Sequence, residues 1–449
     1  MDRTLMAGAG KMNITPPFGC EMSGFVARQG NSVGIHDELW ARALVIGDGR
    51  RKIALVTADL IGIDWRLLAK VREALTQWTD IEPEALILSA THTHSGPAVL
   101  SEAFLGVPEP QYLDSLARNI AGAVVAANQS LEPVRLALGS SECRAVGKNR
   151  RKDERLIDPQ VLAVRFDSEA GLRALLVNYA CHPVVLGPDN RRISGDYPSE
   201  LVSTLERIYP GTQIMFVNGA AGDINVGHKT EDSIKGLPDP KRTFGEAVRM
   251  GKLVAAAALQ AIETALPVAA SAIGFRSRRI TLPLEALPSG DAYRDNAARL
   301  RQLSGDLQRQ GANYGEIQQA TLWGKWAERM AAYTEHGALA PEVSAEIAAL
   351  KLGEMELISL PGEFFHEFGL NIKEARAPRK VVILGYSNGA LGYVAPRYVY
   401  KEGGYEVVDS YRYYGLPARI AEGDGEKVVA TLLQMLQGLA EEPQVKEEI

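Results

Sequence analysis

The chain has 449 residues, 46% of them hydrophobic and 23% charged, and carries a formal charge of −6 from 55 acidic and 49 basic side chains. That profile is one of a soluble globular protein with a sizeable core, long enough for one large domain or two modest ones. No basic block or polybasic amphipathic run is present, so the footprints of a nucleic-acid groove and of an anionic membrane surface are both missing.

The opening stretch, MDRTLMAGAGKMNITPPFG, lacks the continuous apolar core of a signal peptide. No run reaches the roughly 18 apolar residues of a membrane span; LVAAAALQAIETAL is interrupted by Gln260 and Glu263. The three scattered cysteines, Cys20, Cys143 and Cys181, imply no disulfide framework. A cytoplasmic protein is the economical expectation.

Six short apolar runs read as buried strands: KIALVTADL, ALILSATH, ALLVNYACH, QIMFVNGAAGD, MELISLPGE and KVVILGYSN. Apolar residues without alternation suit strands covered on both faces, as in a largely parallel sheet. Between them lie amphipathic helical stretches, DWRLLAKVREALTQW, YLDSLARNIAGAVVAANQ, YPSELVSTLERIY and TFGEAVRMGKLVAAAALQAIETAL. The alternation predicts an α/β fold, with a largely parallel or mixed twisted sheet flanked by helices.

The segment from about Pro288 to Ala349 reads as two helices with polar faces, a helical hairpin on the rim. GEKVVATLLQMLQGLAEE reads as a closing helix before a charged, frayed end. Without a repeat or a low-complexity linker, residues 1–449 are expected to form a single domain carrying that helical insertion.

Ligands in open α/β sheets bind beyond the carboxyl ends of the strands. Following each run to its end gives Asp59, then His92 and His94, His182, Asp223 and Asn225, Glu363, and finally Tyr386 and Tyr393. ATHTHSGP holds two of the seven histidines. If it continues its strand, both imidazoles share one face. His92, His182 and Glu363 then supply a His-His-carboxylate set suited to a catalytic zinc with an open position. Each has a structural alternative: a hydrogen-bonded imidazole for His182, a helix N-terminal carboxylate for Glu363. His228, His336 and His366 read as surface or packing residues.

The motifs GKMNITPP, GIHDELWARALVI, TADL, ATHTHSGP, KNRR, NYACHP, SGD, NGAAGDIN, LPGEFF and GYSNGALGYVAP…GGYE, in this order, resemble the neutral/alkaline ceramidases, specifically their N-terminal catalytic domain. The resemblance runs from about Gly8 to Val408. It implies one zinc ion per chain bound by His92, His182, Glu363 and Tyr393, with His94 beside the attacking water. It also places Arg150 of the NR motif in the site, with Tyr405 twelve residues beyond the zinc tyrosine and followed by Glu406. Two departures are expected: Asn225 occupies the position of the family's GDVS serine, and these residues are not expected to include a counterpart of the family's C-terminal β-sandwich.

The expected function is zinc-dependent amide hydrolysis of a small, polar, soluble molecule rather than ceramide. His94, Tyr405, Arg150 and Asp223 are the candidate catalytic residues, Asp223 as a group that orients His94 or the substrate or simply closes an Asx turn. Asn225, His36 of the GIHDELW motif and Asp59 of TADL are the candidate substrate-binding residues. No nucleic-acid partner and no membrane span are expected, and the sequence leaves the oligomeric state open. Alternatives are a zinc hydrolase acting on an ester, lactone or glycosidic bond, and an inert zinc-containing binding protein.

Overall fold

The computed structural model describes residues 4–441. Three mixed sheets carry the fold. The first uses β1 (Met6–Asn13), β2 (Trp40–Gly47) and β3 (Lys52–Ala58), then α1 (Trp65–Trp78), β4 (Leu86–Ala90) and α2 (Pro110–Gln129). Its strand order is β4-β3-β2-β1, extended by a two-residue strand at Glu132–Pro133.

The second sheet uses β5 (Arg135–Glu142), β6 (Gln160–Ser168) and β7 (Gly171–Tyr179). It continues through α3 (Tyr197–Ile208), β8 (Gln213–Asn218), α4 (Thr230–Lys235), α5 (Phe244–Glu263) and β9 (Leu266–Val268). The order is β8-β7-β6-β5-β9.

The third begins with β10 (Ile273–Pro283), α6 (Gly290–Arg309), α7 (Tyr314–Glu335) and β11 (Glu342–Leu352). It ends with β12 (Met355–Ser359), α8 (His366–Arg376), β13 (Lys380–Leu384) and α9 (Asp424–Glu441), in the order β10-β11-β12-β13.

The mixed form of the expected sheet is the one present. Each sheet is antiparallel except for one parallel pair at its edge: β3 with β4, β7 with β8, β12 with β13. These edges meet. Asn178 at the end of β7 donates to Ile383 O on β13 (2.8 Å), Gly385 N donates to Asn218 O (2.8 Å), and Ala90 N donates to Tyr386 O (3.1 Å). The six apolar runs are these six strands. They are apolar on both faces because α1–α2, α3–α5 and α8–α9 lie against the three sheets, while neighbouring sheets cover the inner faces. Burial on both sides, not parallel pairing throughout, produces the pattern.

The helices begin where the sequence offers caps. Asp64 accepts from Leu67 N at the start of α1 (2.9 Å), and Leu67, Leu68, Val71 and Leu75 form its buried stripe. Asn313 and Glu316 form a capping box on α7. α6 and α7 pack as an antiparallel hairpin over a small core of Tyr293, Leu300, Trp326 and Met330. That part of the expected segment is helical, but its end is not. Glu342–Leu352 pairs with β10 along its whole length, so residues up to Ala349 belong to the sheet. α9 is the expected closing helix; the charged end beyond it lies outside the described residues. No helix among the described residues is long and apolar enough to cross a membrane.

Candidate metal centre

The C-terminal ends of the three parallel pairs place His92 and His94 after β4, His182 after β7 and Glu363 after β12. The two THTH histidines do not continue their strand. β4 ends at Ala90, and His92 sits in the left-handed region at φ 70°, a conformation few non-glycine residues adopt. The chain is held there by His92 N donating to Leu60 O and by Tyr386 stacking on the imidazole at 4.1 Å. The rings therefore converge edge to face, at 84°, through a turn rather than through the pleat.

All three imidazoles are gripped the same way. Nδ1 of His92 donates to Ile61 O (2.6 Å), Nδ1 of His94 to Gly24 O (3.0 Å) and Nδ1 of His182 to Ala221 O (2.7 Å). A carbonyl oxygen only accepts, so Nδ1 carries the proton and Nε2 of each neutral ring is a bare lone pair. Those lone pairs face one another. His92 Nε2 lies 3.2 Å from His94 Nε2, and Glu363 Oε2 lies 2.8 Å from His182 Nε2 and 3.3 Å from His92 Nε2.

Burial, followed by the neighbouring imidazoles, pushes His94 well below the ordinary histidine value. Burial also lowers His182, against the pull of Glu363. Burial would raise the Glu363 carboxyl, but the facing imidazoles outweigh it and hold it well below the usual range. Acceptors packed against acceptors in a water-poor site repel unless a cation sits among them. The nitrogen and carboxylate donors suit zinc, and His92, His94 and His182 present their ring nitrogens within 4.8 Å of one another.

The carboxylate is fixed from behind. Tyr414 donates its hydroxyl to Glu363 Oε1, leaving Oε2 for the imidazoles. The backbone passes close here because residue 222 is glycine: a Cβ would lie 2.4 Å from Glu363 O.

A cavity of about 70 Å³ opens beside His94 and His182, and Arg150, Tyr393, Tyr405 and Asn225 line it. Arg150 donates Nε to Glu406 (2.8 Å) and Nη2 to Gly222 O (2.8 Å), and its guanidinium stands 5.3 Å from the Tyr393 ring centroid. Tyr393 stacks parallel to His182 at 6.4 Å. Burial pushes the Tyr393 and Tyr405 hydroxyls up, so both stay protonated, with Arg150 opposing the shift at each.

Three expected residues stand elsewhere. Asp223 does not reach His94: its oxygens accept from His366 N, from His366 Nδ1 (2.7 Å) and from Asn149 Nδ2, so it anchors the start of α8. Asp59 forms a buried ion pair with Arg42 (3.1 Å) and accepts from Trp40 N, which makes it a sheet residue. His36 stacks on Phe244 at 3.7 Å and pairs with Asp37, outside the cavity lining. Asn225 does line the cavity, but its amide is largely committed to its own loop, donating to His228 O and accepting from Gly227 N. His366 and His228, read as surface or packing residues, are both buried and carboxylate-paired, His228 with Asp239.

Sequence reasoning missed Tyr414, Tyr413 and the Gly24–Arg28 wall. The tyrosine cluster in SYRYYGLP was the available signal for the first two.

The fold is that of the ceramidases of known structure. The crystal structure of neutral ceramidase from Pseudomonas aeruginosa superposes with a TM-score of 0.73 at 22% identity, over 100% of this chain and 76% of that one. A ceramidase complexed with C2 gives 0.76 at 21% identity, over 98% and 76%. In sequence, residues 5–227 match the family described as neutral/alkaline non-lysosomal ceramidase, N-terminal. That match, just under half of the chain, makes residues 5–227 similar to the N-terminal part of the neutral/alkaline ceramidases. The neutral ceramidase of P. aeruginosa is 30% identical over 212 residues, 42% of this chain and 32% of that protein. That of Mycobacterium tuberculosis is 22% identical over 472 residues, covering 90% and 73%. The chain spans about a third of the length of its curated relatives from P. aeruginosa and Drosophila melanogaster.

Proposed function

We propose that the protein is a zinc-dependent hydrolase that cleaves the amide bond of a small, polar substrate. The observation that carries this reading is the convergence of three Nε2 lone pairs and one carboxylate oxygen beside a cavity walled by Arg150, Tyr393 and Tyr405. The resemblance to ceramidases favours an amide over an ester, lactone or glycosidic bond.

In this reading His92, His182, Glu363 and Tyr393 hold the zinc. When bound, the ion lowers the pKa of water toward about 7 and polarises the scissile carbonyl. His94 takes a proton at Nε2 and returns it to the departing amine, while its Nδ1–H stays on Gly24 O. Tyr405 donates its hydroxyl to the oxyanion that develops on the carbonyl. Arg150, locked by Glu406 and Gly222 O, keeps positive charge beside Tyr393; removal of such a donor typically costs about 3 kcal/mol of transition-state stabilisation. Phe25, Leu105 and Val184 supply the apolar walls that exclude water.

The size of the cavity at the histidines supports a small substrate. A larger hollow of about 620 Å³ is lined by Tyr414, whereas the cavity at the histidines is lined by Tyr413, and the two have no lining residue in common. The Trp323 and Trp326 side chains are spent on packing. Trp326 donates to Leu416 O and is buried, and Trp323 lies against Tyr413. The test is zinc-dependent turnover of matched N-acyl compounds of increasing chain length. A flat or falling series supports the reading, a steep rise restores a ceramide-like substrate, and no turnover at all leaves an inert zinc protein.

A further inference from the structure

Arg28 lies outside every motif that pointed to the site, yet it touches the site's most mobile chemistry. Arg28 is 8% exposed, and its guanidinium donates to three backbone carbonyls: Nη2 to His94 O (2.7 Å), Nη1 to Ser23 O (2.6 Å) and Nε to Asn190 O (2.9 Å). Among the described residues it forms no ion pair. Burial lowers its pKa to about 9, against the pull of the nearby Asp189 charge. A cation kept under those terms adds a direct tie among three segments that otherwise meet only one residue or more away, through Ser23 N on Gly96 O (3.1 Å) and Asn190 Nδ2 on Ser95 Oγ (3.0 Å).

The same segment grips the His94 side chain. Gly24 O accepts the Nδ1 proton, and a Cβ at Gly24, whose φ is +107°, would lie 2.7 Å from the imidazole. The Phe25 ring stands 5.1 Å from the His94 ring, and the Arg28 guanidinium stands 5.1 Å from Phe25. His94 is thus held at its carbonyl, its Nδ1 and its ring face by residues 24, 25 and 28. His92 and His182, in contrast, rest on carbonyls at strand ends.

We propose that Arg28 is the positioning residue for His94, fixing the backbone on both sides of the Gly24 contact and thereby the tautomer that leaves Nε2 free to accept a proton. This rests on the reading of His94 as the group that moves the proton. Without Arg28, the Ser23–Arg28 segment separates from His94, the Nδ1–H contact loosens, and the ring exchanges its two neutral tautomers.

The test compares the full-length wild type with Arg28→Met, Arg28→Lys and Gly24→Ala. Nitrogen-15 imidazole spectra are recorded on metal-free and zinc-reconstituted protein above neutral pH, with His94→Ala for assignment. Zinc content and steady-state kinetics on an N-acyl substrate complete the set. The wild type should show a pure Nδ1–H tautomer at His94. Arg28→Met and Gly24→Ala should show a tautomer mixture and lose about 10- to 100-fold in kcat. KM should stay within about threefold and zinc at one per chain. Arg28→Lys should recover part of both effects.

An unchanged His94 signal with unchanged kcat in Arg28→Met overturns the proposal, as does a loss of activity that merely follows loss of zinc. If Arg28→Met does not fold, Arg28→Lys and Gly24→Ala decide by the same criteria. The spectra need no turnover. Failure to hydrolyse any N-acyl compound would therefore count against the proposed function, and the His94 signals would still judge this inference.

Discussion

Tyr414 donates its hydroxyl to Oε1 of Glu363, the oxygen opposite the one that faces His182 and His92. The bond orients the carboxylate so that Oε2 points at the imidazoles. Partners of this kind typically change metal affinity by about 10- to 100-fold when removed. Tyr414→Phe keeps the ring, which packs near Gly392, and deletes only the hydroxyl. Zinc affinity, measured by competition with a chromophoric chelator, is expected to fall by that factor with the fold retained. Unchanged affinity would mean that Glu363 needs no such support or does not bind metal.

Zinc content should separate ligands from neighbours. One zinc per chain is expected in the purified wild type, and His92→Ala or His182→Ala should remove it. Elemental analysis of the three proteins decides, and full occupancy in both variants would falsify the metal site. Secondary structure should survive, because a large hydrophobic core shared by the three sheets and two further clusters support the fold, and the ion is not its main support.

His94 is the residue whose role the geometry leaves most finely balanced, since its Nε2 lies only 3.2 Å from that of His92. His94→Ala is expected to retain zinc and lose about two to four orders of magnitude in kcat, the range for a general acid or base. Loss of zinc in this variant would move His94 into the ligand set and leave the proton-transfer role to another group.

The depressed pKa values of His94 and His182 carry a stability signature in the metal-free protein. The unfolded chain takes up protons on these rings near pH 6.5, while the native rings stay neutral. Stability is therefore lost as pH falls from about 6.5 toward the native values. Asp196, raised to about 6 by burial, works in the opposite sense between its native and unfolded values. Comparing urea midpoints of the wild type and His94→Asn cancels that background. The variant should lose less stability between neutral pH and pH about 5, and parallel curves would show that His94 is protonated equally in both states.

The six strands legible in the sequence are those of the three parallel pairs, and for that reason the site was legible with them. Their apolar runs are continuous, and the histidines and Glu363 at the ends of three of those runs meet at the common junction. The antiparallel strands escaped the reading because many are half-exposed, as in β10, or mixed in burial, as in β5.

Spacing alone could not foresee that His92 turns left-handed, since φ depends on the Leu60 and Tyr386 contacts contributed by other strands. Nor could it separate Asp223 and Asp59 from true site residues. A carboxylate at a strand end looks the same whether its partner is a ligand, His366 or Arg42. Tyr414 lay beyond every quoted motif, and only the folded 411–417 segment brings it to Glu363.

The junction of the three sheets also fixes when the site can exist. His182 and Glu363 are 181 residues apart, and the histidines lie in the first two sheets while the carboxylate arrives with the third. A nascent chain on the ribosome could display all three imidazoles long before Glu363 emerges, and any ion captured then would be held by nitrogen alone. With the proposed ligand set, complete coordination would report the docking of the last sheet, and the affinity of the metal would itself be a gauge of finished tertiary structure.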